Sequence, residues 1–191
     1  MLTLEAYRMM YGEDDPEELE LMQAKDRELA QRIAEVLQDL FFMETNLPEP
    51  REGEGLAEEV GEMAELEELR SIAAALHGKT PDDYQSGRVP PCMQFNHLIN
   101  HTGSEGLYLP QDFPQSFFLD DLAIGSAAAL LKELEALAPV LAERFPDEMA
   151  AAQATPDDAP RADIAGPVGV WHSLGRLCRS ALAMDMPIQL G

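Results

Sequence analysis

The sequence is short of positive charge. Its 191 residues carry 13 Lys and Arg against 36 Asp and Glu, a formal net charge of −23. Affinity for nucleic-acid backbones comes from basic side chains neutralising phosphates, so this balance argues against direct duplex binding. Anionic membrane surfaces are poor partners for the same reason. Cysteine is scarce too: Cys92 and Cys178 are too few for a disulfide framework and lack CxxC spacing. Both are expected to be reduced and buried, and the sequence does not decide whether they pair. No uncharged apolar run nears the length of a bilayer span. The N-terminal stretch MLTLEAYRMMYGEDD has no basic start followed by an apolar run, so no signal peptide is read there and a cytoplasmic location is expected. GxGxxG, a phosphate loop and GxSxG are all absent. Nothing in the chain establishes an enzyme.

What is present is a core. Apolar residues make up 46% of the chain, enough for one domain or for one domain with a helical extension. The negative charge is uneven. Residues 1–70 hold 21 acids and 6 bases, net −15, and residues 71–191 hold 15 and 7, net −8. An acidic surface suits a basic partner, and it also simply keeps a protein soluble.

Helical periodicity dominates. Pro16 follows Asp14 and Asp15, and Glu17, Glu18 and Glu20 occupy the first turns, where negative charge suits the helix dipole. Leu29, Ile33, Val36, Leu37 and Leu40 then recur at steps of three and four, predicting a helix over 16–44. A second stripe, Leu56, Val60, Met63, Leu66, Leu69, Ile72 and Leu76, ends at Gly78 in a C-cap position. The pair reads as an acidic amphipathic hairpin over 1–78. Pro90 and Pro91 open an expected third helix that Gly103 ends. LYLP (107–110) and QSFFLDD (115–121) read as extended. A fourth helix is expected over 124–145, with Ser126 as a candidate cap and Pro139 as a kink. The stretch 146–167 reads as a mobile linker, followed by a last helix over 168–185 and a short strand, IQL (188–190), beside LYL. The fold class is therefore mainly α: a bundle of four or five helices with at most a short two-stranded element. Two parts are expected, 1–78 and 79–191, or a single domain over 1–191.

Chemistry concentrates between Val89 and Asp121, with two of the four histidines and five of the eleven Phe and Tyr residues. On a helix, His97 and His101 would share one face, about 5–6 Å apart at Cβ, and could converge on zinc or another divalent ion. Zinc needs at least one further ligand. Glu105 is the nearest candidate, with His77, His172, Cys92 and Asp112 behind it. The pattern lacks the Glu of HExxH, and a pair alone does not close a coordination shell. The reading favoured over a metal site is that both rings form a hydrogen-bonded helix end with Asn96 and Asn100. Tyr108, Phe113, Phe117 and Phe118, stiffened by Pro110 and Pro114 and followed by Asp120 and Asp121, form a candidate partner-binding segment. The competing reading puts those rings in the core, above all Tyr108 and Phe117. Trp171 is expected in the core with its N–H on a carbonyl.

HLINHTGSEGLYLPQDF, with IGSAAALLKELEALAP and WHSLGRLCRSAL after it, resembles a pattern in small bacterial proteins with no assigned activity. The resemblance covers residues 95–182, about half the chain, and implies no function and no site residues. The HxxxH pair is also similar to that of small bacterial metal-binding four-helix bundles, but aromatic, extended sequence follows it here. Three functions remain: an acidic interaction module that inhibits or neutralises a basic partner protein, a metal-binding bundle with hydrolase chemistry, and a homodimeric scaffold.

Overall fold

The computed structural model describes residues 16–44, 60–90, 93–100, 106–120, 122–156 and 164–190. The chain forms two compact units, residues 1–55 and 56–191. The first contributes α1 (Pro16–Phe41). Along it Glu28, Glu35 and Asp39 stand on one face, seven and four residues apart, and all three are exposed.

The second unit runs α2 (Met63–Ala75), α3 (Pro81–Gln85), α4 (Asn96–Ile99), β1 (Gly106–Leu109), β2 (Phe117–Leu119), β3 (Leu122–Ser126), α5 (Ala127–Arg144), α6 (Pro146–Ala154), α7 (Gly166–Met184) and β4 (Ile188–Leu190). The expectation of a two-stranded element at most is corrected to a four-stranded mixed sheet, ordered β2-β3-β1-β4. β1 runs parallel to β3, with Leu107 opposite Ile124, and antiparallel to β4, with Tyr108 opposite Ile188. IQL does lie beside LYL. β2 and β3 make a hairpin in which Leu119 faces Leu122. Asp120, which follows Leu119, takes a left-handed backbone, φ 54°, that hairpin turns use and Asp tolerates.

Helix bounds follow local chemistry. α2 is shorter than its stripe: a capping box between Glu62 and Glu65 starts it. It stops where Gly78 turns left-handed and Lys79 N–H reaches back to the Ala74 carbonyl. Glu65 also accepts from Gly166 N–H at 2.7 Å, fastening the start of α2 to the start of α7. α5 begins at Ala127 because residues 122–126 are strand. Ser126 caps it, accepting from Ala129 N–H at 3.0 Å, and Pro139 sits inside it without dividing it. Residues 146–154, expected to begin a linker, form α6, with Met149 and Ala152 buried. Pro146 at its first position and Asp147 and Glu148 in its first turn explain the start.

The core lies between α2, α5, α6 and α7, with Leu69, Ile72, Leu130, Leu134, Leu137, Leu174 and Leu177 at its centre. Trp171 donates its indole N–H to the Leu134 carbonyl on α5 at 2.7 Å. Trp171→Phe keeps most of the packing and loses that bond. It is expected to cost about 1–2 kcal/mol, read as a lower urea midpoint at unchanged m-value.

Candidate functional site

The dense segment of the sequence becomes a buried polar knot around α4. Four residues cannot satisfy their own backbone groups, so side chains from other elements do it. At the N-terminal end Glu133 of α5 accepts from His97 N–H (3.2 Å) and Leu98 N–H (2.9 Å). At the other end the Arg70 Nε of α2 donates to the Leu98 carbonyl at 3.0 Å, and its Nη1 holds Glu67 at 2.6 Å. Tyr108 of β1 donates its hydroxyl to the His97 carbonyl at 2.8 Å. Asn96 Oδ1 accepts from both the N–H and the hydroxyl of Ser116, each at 2.8 Å. Phe95, which precedes the helix, is buried in the left-handed region at φ 69°, a strained geometry for a bulky residue that this network holds in place.

His97 is 1% exposed. Its Nδ1 accepts from Ser126 N–H at 3.0 Å, so in the neutral ring the proton is on Nε2. Nε2 lies beside the Phe113 and Pro114 carbonyls without full hydrogen-bond geometry. Burial pulls the ring down to about 4, and the same burial pushes Glu133 up to about 8 against the backbone N–H groups that favour its charge. An open groove of about 460 Å³ borders the knot, with Met93, Gln94 and Phe113 on its walls and the Lys132–Asp112 ion pair beside them.

The expected metal geometry required one helix through His97 and His101. α4 ends at Ile99 instead, because Asn100 is already its C-cap. His101, Glu105 and Cys92 lie outside the described residues. His77 is exposed with its ring tilted against Phe95, and His172 is buried on α7. Among the described residues no three His, Cys, Asp or Glu side chains gather as a metal site. Cys178 is buried and free, its thiol pushed up to about 12 by burial, so it is a packing residue and not a nucleophile.

Of the aromatic segment, Tyr108, Phe113 and Phe117 are buried, and Phe113 packs edge-on to His97 at 5.6 Å between ring centroids. Phe118 is 54% exposed beside the hairpin turn that carries Asp120; Asp121 lies outside the described residues. Reading the sequence for chemistry passed over Glu133 and Arg70. A signal was there: both interrupt apolar stripes, Glu133 between Leu130 and Leu137, Arg70 between Leu66 and Ala73. A charge at such a position is buried with partners or is wrongly placed.

The knot ties α4 to α2, α5 and β1, and acidic side chains stand on the outside of the unit. Glu62, Glu67, Glu68, Asp82, Glu135, Glu143, Asp147 and Glu148 are exposed in the second unit. Several of its cations are occupied: Arg70 is buried, Arg88 pairs with Asp83, and Lys132 pairs with Asp112. No described helix is long and apolar enough to cross a membrane. No curated protein and no solved structure matches the chain. One family does, over residues 12–190, which takes in α1 and every described element of the second unit. On that match the chain belongs to the family described as Putative DNA-mimic protein.

Proposed function

We propose that the protein binds the DNA-contacting surface of a basic DNA-binding protein and keeps DNA off it, offering carboxylates where that surface expects phosphates. The observation that carries the reading is the excess of 36 acids over 13 bases, in a chain that belongs to a DNA-mimic family. Carboxylates and phosphates both present anionic oxygens that Lys and Arg bind through charge-assisted hydrogen bonds. A net charge this large also speeds encounter with a cationic surface and repels DNA and other acidic proteins. No bond is made or broken, and the affinity is expected to weaken steeply with salt.

The test is competition. The protein is immobilised, loaded with a DNA-free cell extract at low salt, and washed with a duplex oligonucleotide or with an uncharged polymer at equal mass. Proteins released by the duplex and not by the polymer, and themselves retained on DNA, are the expected result. Release by neither, or retention that is the same at about 50 and 300 mM salt, defeats the proposal.

A further inference from the structure

The end of α1 carries features that charge alone leaves unexplained. After Phe41 the chain turns left-handed at Phe42, φ 56°. Phe42 N–H bonds the Gln38 carbonyl and Met43 N–H the Leu37 carbonyl, at 3.0 and 3.3 Å. Glycine is the residue that such a turn favours, and a bulky ring there strains the backbone. The ring gains no core packing in exchange, since Phe42 is 86% exposed; Leu40, two residues earlier, is 51% exposed. A residue that is costly for the fold and idle within it points outward.

Beside it runs an open groove of about 740 Å³, lined by Ala34, Met43, Glu35, Asp39 and Glu44, with no Lys or Arg on its walls among the described residues. Glu35 and Asp39 lie one turn apart, and Gln31 steadies Glu35 with a bond of 3.0 Å. We propose that this groove docks a basic segment of a DNA-binding protein that also carries one large apolar side chain. Glu35, Asp39 and Glu44 take the cations; Phe42 and Leu40 take the apolar group.

The proposal rests on the DNA-mimic reading and adds a place and a selectivity to it. Lys and Arg have apolar stems beneath their charges, which suit a groove that joins Ala34 and Met43 to three carboxylates. Met43 adapts its shape to what it meets. The division of labour follows general interface physics: exposed charges set the rate of encounter and its salt dependence, and an aromatic anchor sets how long the complex lasts. A duplex offers phosphates and no protruding phenyl ring, so Phe42 gives the partner a reason to prefer the mimic over DNA.

The test uses the full chain and two labelled Arg-rich peptides of about 15 residues, one with Trp and one with Ala at the same central position, followed by fluorescence anisotropy. Glu35→Gln with Asp39→Asn and Glu44→Gln is expected to weaken both peptides about tenfold or more. The equally neutralising Glu143→Gln with Asp147→Asn and Glu148→Gln is expected to weaken them less than about threefold. Phe42→Gly is expected to abolish the wild-type preference for the Trp peptide at unchanged salt dependence. It should also raise the melting temperature, because glycine relieves the left-handed strain. Equal losses in the two triple variants, or a Trp preference that survives Phe42→Gly, overturn the proposal. So does a fall in the molar mass of the unliganded protein on Phe42→Gly, which assigns the groove to a second copy of the chain. Failure of the DNA-mimic reading shows separately, as peptides that bind the groove while the duplex releases no protein from the immobilised chain.

Discussion

Glu133→Ala is expected to lower folding stability by about 3–5 kcal/mol, a loss that leaves a domain of ordinary stability barely folded. The carboxyl is 7% exposed and accepts the N–H groups of both His97 and Leu98. Truncation orphans two buried donors at the start of a helix too short to satisfy them, and opens a void between α4 and α5. Glu133→Gln separates charge from shape, and its signature is in the pH dependence. Burial raises Glu133 from 4.5 to about 8 in the folded state. The fold therefore prefers the neutral acid, and that contribution is full below pH 4.5 and is lost as pH rises towards 8. His97 runs the other way: burial lowers it from 6.5 to about 4, so its contribution is full above pH 6.5 and lost as pH falls towards 4. The two slopes oppose each other between pH 4.5 and 6.5, where the wild type should be nearly flat, and only the Glu133 loss remains from 6.5 to 8. Gln keeps one accepting oxygen and never ionises. It should match the wild type or fall slightly below it at pH 5, and exceed it by about 1–3 kcal/mol at pH 8. Urea titrations at half-unit pH steps decide this; parallel stability curves for the two proteins from pH 5 to 8 refute the assignment.

The same residue marks where sequence reading succeeds and where it stops. Long stripes were legible: α1, α5 and α7 lie close to their expected bounds, and Ser126 and Gly78 perform the capping their chemistry suggests. β3 was not, because LAIGS is five residues of small and apolar character that fits a buried strand and a helix start equally well. Only its pairing with β1 and β2 decides between them. α4 was over-extended for a different reason. Periodicity from Cys92 to Ile99 is compatible with a helix from Pro90, but Phe95 leaves the right-handed region, and that choice is made by tertiary bonds to Glu133, Arg70 and Tyr108. The helix that would carry the histidine pair ends at Ile99, and His101 lies outside the described residues. For the candidate surface the sequence showed the sign and unevenness of the charge. It did not show that Tyr108, Phe113 and Phe117 face inward while Phe118 and Phe42 face out, because alternation and helical phase cannot be assigned before the neighbours are known.

Two glycines of α7 should respond oppositely to one and the same substitution. Gly169 is in the second turn, and a Cβ built on it collides with the Ile164 carbonyl oxygen. That neighbour is backbone and has little freedom to retreat: Ile164 is buried, and Gly166, two residues on, is tied through its N–H to Glu65. Gly169→Ala must therefore tilt the first turns of α7 or lift residues 164–165 off the core, and a loss of about 3 kcal/mol or more is expected. Gly175 is in the same helix, six residues on, where a new Cβ first meets the guanidinium end of Arg179 at 3.4 Å. A flexible tip at ordinary contact distance costs little, while alanine in place of a mid-helix glycine gains up to about 1 kcal/mol through the unfolded chain. Gly175→Ala should thus leave stability unchanged or raise it. Helix propensity is improved identically in both variants, so the difference between their urea midpoints isolates the contact with Ile164. Equal midpoints for the two variants would mean that the chain before α7 yields freely and that Glu65 does not hold it.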